Sequence, residues 1–200
     1  MSPKQHRGEV TSDLLLDAAL RLYTESGEPG VTVTAVTRTS GVSLGSLYHH
    51  FGSLDGLLTA LTERWTGRLL EQSVTALTSA ETAREGIGAV VGAYLAFVRD
   101  HPGAALLVHS PRADRRLMAR GQETRDAQEP SVSAMSRWIR PRVEAGEVAP
   151  LPMPLLETLL LGPVVAVARR HLSGVRDVDL DEAARLLPER IWRSISAAGA

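Results

Sequence analysis

The sequence contains no cysteine and no asparagine, has few aromatic residues, and carries almost no net charge. Without cysteine the chain cannot form disulfides or thiolate zinc sites. A formal net charge of −1 gives no electrostatic indication of a nucleic-acid partner, since such proteins are usually basic on the binding face. Any DNA-binding role must therefore be carried by a motif and not by the overall charge.

Long apolar runs are also missing from the sequence. No segment approaches the roughly 20 apolar residues of a membrane-spanning helix. The start, Met1-Ser2-Pro3-Lys4, lacks the apolar core of a signal peptide. We therefore expect a cytoplasmic protein with no membrane partner. Hydrophobic residues make up 44% of the 200 residues, which is an ordinary globular composition.

The segment around a central glycine turn predicts two short helices. Residues 33–39 form the first, with Thr32 as a good N-cap, and residues 43–51 form the second, with Ser43 as its N-cap. The connecting turn, Ser40-Gly41-Val42, places glycine where the first helix needs a left-handed residue at its end. Two short helices joined by such a turn are typical of a helix-turn-helix motif.

The second of these helices has one inward face. Leu47 and Phe51 are four positions apart and so lie on the same side. The remaining side chains are small, aromatic or imidazole groups that face outward, a pattern that suits insertion into a DNA groove; the alternative is a small capped surface helix. The outward residues are Leu44, Gly45, Ser46, Tyr48, His49 and His50.

Helical periodicity extends over the rest of the chain, and no segment has a convincing strand pattern. We therefore predict an all-α fold. Glycine at position 27 is expected to end the first helix, and the Gly-Pro pair at 162–163 and Pro188 are expected to kink the last two helices. The further helices are predicted over residues 11–26, 53–78, 81–100, 104–110, 112–125, 131–145, 155–172 and 179–196.

Positions spread over residues 10–61 have the order and spacing of a known family. They are Leu15-Leu16-Asp17-Ala18-Ala19, Leu22-Tyr23, Gly27, Thr32-Val33, Val36, Gly41-Val42-Ser43, Gly45, Leu47-Tyr48, Phe51, Ser53 and Leu57. In these positions the chain resembles the N-terminal domain of the TetR family of bacterial transcriptional regulators. The resemblance implies a three-helix DNA-binding domain over residues 1–52, with a flexible arm at 1–9, and a helical ligand-binding and dimerisation domain over residues 53–200.

The resemblance also implies which residues meet DNA. Phosphate contacts are expected from Thr32, Ser43, Tyr48 and His50. Base edges or the nearby backbone are expected to meet Thr34, Leu44, Gly45, Ser46 and His49. The chain departs from the family at Leu54, where a lysine usually contacts phosphate, and at Leu44, where many members have a polar or basic residue. Both departures predict fewer charged contacts and a shallower salt dependence.

The two C-terminal helices are apolar on much of their circumference, which predicts a large partner surface. The resemblance implies a homodimeric four-helix bundle, while packing within a single chain remains the alternative. The candidate interface residues are Leu156, Leu159, Val167, Leu187, Ile191 and Ile195.

Aromatic and methionine residues in the middle of the chain suit a ligand pocket, although plain core packing is the alternative. The candidates are Trp65, Tyr94, Phe97, His101, His109, Met135 and Trp138. The resemblance implies a small effector that alters DNA binding, and the residue types predict an apolar or aromatic one. No cofactor or metal site is predicted.

One motif favours a different class of protein. The segment 41–45 matches G-x-S-x-G, the nucleophile elbow of α/β-hydrolases, but that chemistry needs a strand before the serine, and here a helix is predicted. We therefore expect no enzyme. The sequence and the resemblance predict a ligand-responsive transcriptional regulator, a repressor that binds a pseudo-palindromic operator as a homodimer. The alternative is an all-helical small-molecule-binding or interaction protein with weak or lost DNA binding.

Overall fold

The computed structural model describes residues 3–119, 123, 126, 129–175 and 178–197. Within these ranges the helices are joined by turns and short irregular segments, and the β structure is one isolated antiparallel bridge between Val148 and Ser196, which confirms the predicted all-α fold. The helices are α1 (Pro3–Gly30), α2 (Val33–Ser40), α3 (Leu44–Phe51), α4 (Leu54–Thr78), α5 (Ala83–Asp100), α6 (Pro102–Val108), α7 (Pro111–Ala119), α8 (Glu129–Glu144), α9 (Met153–Leu172) and α10 (Leu180–Ile195).

The chain divides into two compact units. The first comprises the residues up to Thr66 together with Pro102–Ala113, and the second comprises Gly67–His101 and the residues from Asp114 onward. The first unit thus extends past residue 52, our expected domain limit. The physical reason is that the first turns of α4 supply three buried leucines to its core, and α6 supplies a fourth.

The first unit is built around α1, which packs against α2, α3 and α6. Because the apolar residues of α1 recur at helical spacing, one face of the helix is buried along several turns. The buried core residues are Leu15, Leu16, Ala18, Ala19, Tyr23, Val31, Val36, Leu47, Leu57, Leu58, Leu61 and Leu107. This core fixes α2 and α3 by their inward faces and leaves their outer faces open.

The first helix is longer than the sequence predicted. It begins at Pro3, within the expected flexible arm, because proline is well tolerated in the first helical turn, where its missing N–H would lack a partner. Gly27 breaks the helix as expected, with a left-handed φ of 65°, but a further helical turn follows it as far as Gly30. The segment 3–9 is thus continuous with the helix that carries the first core.

The second unit packs α5 against α9 and α10, which also pack on each other. A capping box begins α5: the Thr82 side chain accepts from the Glu85 amide, and the Glu85 carboxylate accepts from the Thr82 amide. The helices α9 and α10 run unbroken through Pro163 and Pro188. The predicted basic helix over 112–125 is described as far as Ala119, and part of its remainder lies outside the described residues.

Candidate nucleic-acid interface

Two side-chain caps set the beginnings of α2 and α3. The Thr32 hydroxyl accepts from the Ala35 amide at 3.1 Å, and the Ser43 hydroxyl accepts from the Ser46 amide at 3.2 Å. The hydroxyls of Ser43 and Ser46 also lie 2.9 Å apart, within hydrogen-bond distance. Each cap satisfies one of the amides that a helix leaves without a partner at its start.

The turn between the two helices is closed by backbone and side-chain bonds. Gly41 has a left-handed φ of 69°, and its amide donates to the Thr37 carbonyl at 3.0 Å. The Val42 amide donates to the Ser40 hydroxyl at 3.2 Å. Since a side chain at Gly41 would be strained at this φ, glycine is the residue that lets α2 stop and α3 begin at once.

The short third helix divides into a buried and an exposed face. Leu47 is fully buried and Phe51 is half-buried, as the four-residue spacing predicted. Leu44 and Tyr48 keep 52% and 47% of their surface exposed, although both are large. The other residues that the sequence assigned to DNA are also exposed, apart from the half-buried Ser46; they are Thr32, Thr34, Ser43, Gly45, His49 and His50.

The start of α3 can approach a partner closely. A β-carbon added at Gly45 would meet nothing within 4 Å, so packing inside the chain does not require glycine there. The amides of Leu44 and Gly45 belong to the first turn and have no acceptor within the helix. An α-helix begins with a partial positive charge, which favours phosphate. This end of α3 therefore offers a small, open, electropositive contact.

Two adjacent imidazoles mark the other end of α3. The rings of His49 and His50 are 5.4 Å apart and nearly perpendicular, and the His50 ring is 6.1 Å from the Phe51 ring. His50 also lies beside the start of α1, with its Cε1 atom 3.7 Å from the position of a β-carbon on Gly8. The early turns of α1 and the end of α3 thus share one surface.

Exposed positive charge on α2 comes from a residue that the sequence reasoning did not assign to the interface. Arg38 lies exposed in the last turn of α2. Its position three residues before Gly41 could have indicated this role from the sequence, because that spacing places Arg38 near the turn of the helix-turn-helix motif. By contrast, Leu54 is half-buried and packs against the first core. The position where the family usually has a phosphate-binding lysine therefore makes an apolar contact here.

An arginine from α7 ties two elements of the first unit together. Arg112 donates to the Glu28 carboxylate at 2.6 Å and also forms an ion pair with Asp55, at the start of α4. Both pairings raise the Arg112 pKa above its ordinary value, with the hydrogen bond to Glu28 as the largest cause. The three residues line an open cleft of about 430 Å³. Arg112 therefore belongs to a clamp inside the first unit, which joins the end of α1 to the start of α4.

The residues predicted to line a ligand pocket are spread over both units. Trp65 packs against the core of the first unit, and His109 also belongs to that unit. Tyr94 and Phe97 are buried in the second unit, where the Phe97 ring lies 5.3 Å from the His101 ring. Burial in this apolar setting raises the pKa of Tyr94 well above its usual range.

Met135 and Trp138 are the predicted pocket residues that line cavities inside the second unit. Met135 contributes to a cavity of about 110 Å³ and, with Trp138, to a smaller one of about 10 Å³. The Arg142 guanidinium covers one face of the Trp138 ring, 3.6 Å from its centroid. That guanidinium also donates to three backbone carbonyls, so it fixes the indole in place; the carbonyls belong to Ala80, Glu81 and Trp138.

The six predicted dimer residues occupy two kinds of environment. Leu156, Ile191 and Ile195 are buried in the core of the second unit. They lie on the faces of α9 and α10 that pack against the rest of the same chain, so they contribute little surface to a partner. Leu159, Val167 and Leu187 are half-buried and retain surface. Exposed leucines flank this second group at positions 155 and 186.

The fold and the interface define an all-helical protein with an N-terminal helix-turn-helix. Residues 15–61 match the family described as bacterial regulatory proteins, tetR family. The regulator BetI of Rhizobium meliloti (strain 1021) is 37% identical over 89 residues, which are 44% of this chain and 44% of that protein. BetI of Burkholderia cenocepacia (strain HI2424) is 41% identical over 58 residues, 29% of this chain and 30% of that protein. The matches thus span less than half the length of these relatives.

Solved structures extend the likeness of fold to nearly the whole chain. A TetR family transcription regulator from Marinobacter aquaeolei VT8 has a TM-score of 0.70 at 19% identity, covering 97% of this chain and all of that one. FadR of Bacillus subtilis, solved with stearoyl-CoA, has a TM-score of 0.71 at 17% identity, covering 89% of this chain and 96% of that one. The family match thus covers residues 15–61, and the solved structures extend the likeness of fold alone over the rest of the chain.

The surroundings of Ser43 differ from those of the serine in a hydrolase nucleophile elbow. A nucleophile elbow requires a strand immediately before the serine. Here the helix α2 and the turn residues Gly41 and Val42 precede Ser43, and the Ser43 hydroxyl serves as a helix cap.

Among the described residues, no helix has the length and apolarity needed to cross a bilayer.

Proposed function

We propose that this protein is a transcriptional regulator, a ligand-responsive repressor that binds a pseudo-palindromic operator as a homodimer. The observation that carries the proposal is the outer face of α3. Its inward residue Leu47 is fully buried, while bulky Leu44 and Tyr48 stay about half exposed on a helix that follows a closed turn. Large side chains held out by a rigid element are what groove recognition needs.

The proposed contacts divide into positioning and reading. Phosphates are held by the helix starts at Thr32 and Ser43 and by the side chains of Tyr48 and His50, because these groups are exposed hydrogen-bond donors. Base edges are met by exposed hydroxyls and by Leu44, which suits apolar contact with a thymine methyl group. The open position at Gly45 lets the DNA backbone approach the helix itself.

The absence of lysine and arginine from α3 makes the binding less dependent on salt than is usual. Each phosphate neutralised by a cation contributes about −0.9 to the slope of log affinity against log salt. Arg38, at the end of α2, is the exposed cation nearest in sequence to α3. We therefore expect a shallow slope, with most of the affinity coming from hydrogen bonds and shape.

The dimer surface that we propose is the outer side of α9 and α10. Leu155 and Leu186 are 45% and 56% exposed, and the half-buried residues Leu159, Val167 and Leu187 are on the same two helices. Exposed leucines on neighbouring helices are costly in water and favour a self-complementary partner. A twofold dimer would place two copies of α3 in successive major grooves, about 34–36 Å apart.

The proposed effector site is the apolar cavity in the second unit. FadR of Bacillus subtilis, a neighbour in fold, was solved with stearoyl-CoA, and this supports a small-molecule site in a protein of this architecture. The helix α4 starts directly after the helix-turn-helix and also supplies Leu70, Ser73, Val74 and Leu77 to the cavity wall. We propose that α4 has two positions, one that suits operator binding and one that does not. A ligand that binds the second position more tightly than the first would weaken operator binding about tenfold or more, and by no more than its ratio of affinities for the two positions.

The proposal is tested by fluorescence-anisotropy titration of the protein against DNA that flanks its own gene, with a scrambled duplex of equal composition as control. We expect a preference for one site of at least about a thousandfold. Equal affinity for both duplexes would overturn the regulator and favour the alternative, a helical small-molecule-binding protein that has lost DNA binding. The half-buried leucine at position 54 is the observation that keeps this alternative in view.

A further inference from the structure

The helix-turn-helix segment, residues 33–51, is anchored to the first core by few side chains. Its helices have eight residues each, and helices this short are marginal in water unless tertiary contacts hold them. In this segment, which the structure describes throughout, one side chain of each helix is fully buried: Val36 in α2 and Leu47 in α3. The order of the segment therefore depends strongly on how its two ends are held.

Both ends of the segment carry a glycine in the left-handed region. Gly27 lies ahead of α2 with a φ of 65°, and Gly52 directly follows α3 with a φ of 71°. Glycine has more backbone freedom than any other residue, so the chain can change direction easily at these two points. A contact that fixes the chain beside each glycine would limit this freedom.

One guanidinium makes such a contact at both ends. The Nη2 group of Arg112 donates to the carboxylate of Glu28, the residue after Gly27, at 2.6 Å. The Nη1 group of the same side chain pairs with Asp55, three residues after Gly52. Because the guanidinium is a rigid planar fork, it sets the separation of the two carboxylates. Arg112 therefore connects the entry of the helix-turn-helix segment to its exit.

We propose that Arg112 is a positioning residue for operator binding: by holding Glu28 and Asp55 together, it keeps α2 and α3 in the arrangement that meets DNA. This deepens the regulator function proposed above and rests on it. Without the bridge, a smaller fraction of molecules has the binding arrangement, and the apparent affinity falls by that fraction. Arg112 itself need not touch the operator.

Arg64 provides a matched control for this role. Its side chain is 22% exposed, against 24% for Arg112, and it also pairs with two carboxylates. Those carboxylates belong to Asp13 and Asp17, in the middle of α1 and away from the ends of the segment. Arg64→Met and Arg112→Met therefore remove the same charge and comparable ion pairs, but Arg112→Met alone releases the ends of the helix-turn-helix segment.

Fluorescence-anisotropy titration of the full chain against the operator duplex measures the effect, at a temperature where circular dichroism shows both variants to be folded. We expect Arg112→Met to weaken operator binding about fivefold or more, as the binding-competent fraction falls, and Arg64→Met to change it less than about twofold. An equal loss in the two variants, or no loss in Arg112→Met, would overturn the positioning role.

A double-mutant cycle with Asp55→Asn tests the bridge itself. This change removes one of the two carboxylates that Arg112 holds. It should weaken operator binding in the wild type and have no such effect in the Arg112→Met protein, because coupled residues are not additive. Additive losses would show that Arg112 and Asp55 act separately.

Hydrogen–deuterium exchange on the protein without DNA separates this inference from the proposed function. In Arg112→Met, we expect the amides of residues 33–51 to lose protection while those of residues 15–23 keep it, since local opening is distinct from global unfolding. Arg64→Met should leave the segment protected. If the wild type binds operator and scrambled duplex equally, the proposed function fails, and a loss of protection confined to residues 33–51 still supports the bridge. Unchanged protection, or an equal loss in both regions, would overturn the bridge even if operator binding is confirmed.

Discussion

Tyr48 is a large polar side chain that the fold leaves about half exposed, with 47% of its surface open. His50, the second proposed phosphate contact, is exposed two residues further along α3, and its ring lies 6.1 Å from the Phe51 ring. Neither side chain belongs to the first core, to which α3 contributes Leu47 and the half-buried Phe51. This separation makes binding and stability independently testable at these two positions.

Replacing both Tyr48 and His50 by alanine should weaken operator binding while leaving the fold intact. Each lost phosphate hydrogen bond costs about 1 kcal/mol, so the double variant should lose roughly tenfold to a hundredfold in affinity. Anisotropy titration measures the change. The matched control is His171→Ala, an exposed histidine at the end of α9, which should leave affinity unchanged. Operator affinity equal to the wild type in the double variant would contradict this placement.

Arg112 forms ion pairs with Glu28 and Asp55, two residues of the first unit that are distant from it in the sequence. Its guanidinium is 24% exposed, while the Glu28 and Asp55 carboxylates are 38% and 74% exposed. Removing the charge by Arg112→Met leaves two carboxylates facing each other without their cation. Because the pairs are partly solvated, we expect a loss of about 1–2 kcal/mol in the free energy of unfolding, less than for a fully buried pair.

Urea denaturation followed by circular dichroism measures this loss, and the control is Arg115→Met, an exposed residue on the same helix. The difference between wild type and Arg112→Met should shrink at high salt, since partly exposed ion pairs are screened. A loss that does not respond to salt would assign the effect to packing of the side-chain stem.

At the level of elements, helix beginnings are where sequence and structure agree most closely. Thr32 and Ser43 were predicted as N-caps, and each hydroxyl accepts from the amide three residues on, as does that of Ser53 at the predicted start of the next helix. Caps are local, because the donor and the acceptor lie within one turn. The prediction of α2, α3 and the start of α4 therefore needed no knowledge of the rest of the fold.

Features that depend on distant partners could not be predicted in this way. The link between Glu28 and Arg112 joins residues 84 positions apart, and nothing in the local sequence of either residue indicates the other. The same holds for α10. Its apolar residues could be recognised in the sequence, but the sequence did not show which of them pack inside the chain and which face outward. Burial of Ile191 and Ile195 in their own chain settles this only in the structure.

The start of α10 carries a titratable cap. The Asp179 carboxylate accepts from the amides of Asp181 and Glu182 at 2.7 and 3.0 Å. These backbone bonds, that to Glu182 first, lower the pKa of Asp179. A lowered pKa in the folded state means that the stabilisation is present above the unfolded value of about 3.9 and is lost as the pH falls through the folded value.

Asp179→Ala should accordingly lower the melting temperature at pH 7, and the difference from wild type should narrow as the pH falls below about 4. Asp179→Asn keeps an acceptor oxygen and cannot titrate, so its difference from Asp179→Ala should change little with pH. Thermal melts across the pH range provide the measurement. A constant difference between wild type and Asp179→Ala down to strongly acid pH would show that the cap does not titrate as described.

At the scale of the whole molecule, the proposed dimer lets the helix-turn-helix motif recognise a longer stretch of DNA than one copy could. A single α3 has eight residues, too few to distinguish a long operator from its surroundings. Two copies related by a twofold axis double the contacts and impose a spacing between half-sites. On this proposal, the apolar outer side of α9 and α10 contributes to DNA recognition by holding two copies of α3 at a fixed spacing.

Leu187→Glu places a charge at the centre of that outer side and should convert the dimer to a monomer. Sedimentation equilibrium at micromolar concentration measures the change, and operator affinity should fall with it. Arg190→Glu, an exposed change on the same helix, is the matched control for added negative charge. A Leu187→Glu protein that keeps the mass of a dimer would move the interface away from α10, and a monomeric wild type would remove it altogether.

The helix α6 is synthesised after α5, yet its Leu107 is fully buried in the core of the first unit. A nascent chain that has delivered α1 to the first half of α4 thus has an incomplete core. At about 5–20 residues per second, the ribosome needs roughly two to eight seconds more to supply that leucine. Transcripts that end in a premature stop codon before Leu107 should therefore yield chains that are degraded, and no shortened protein would compete for DNA.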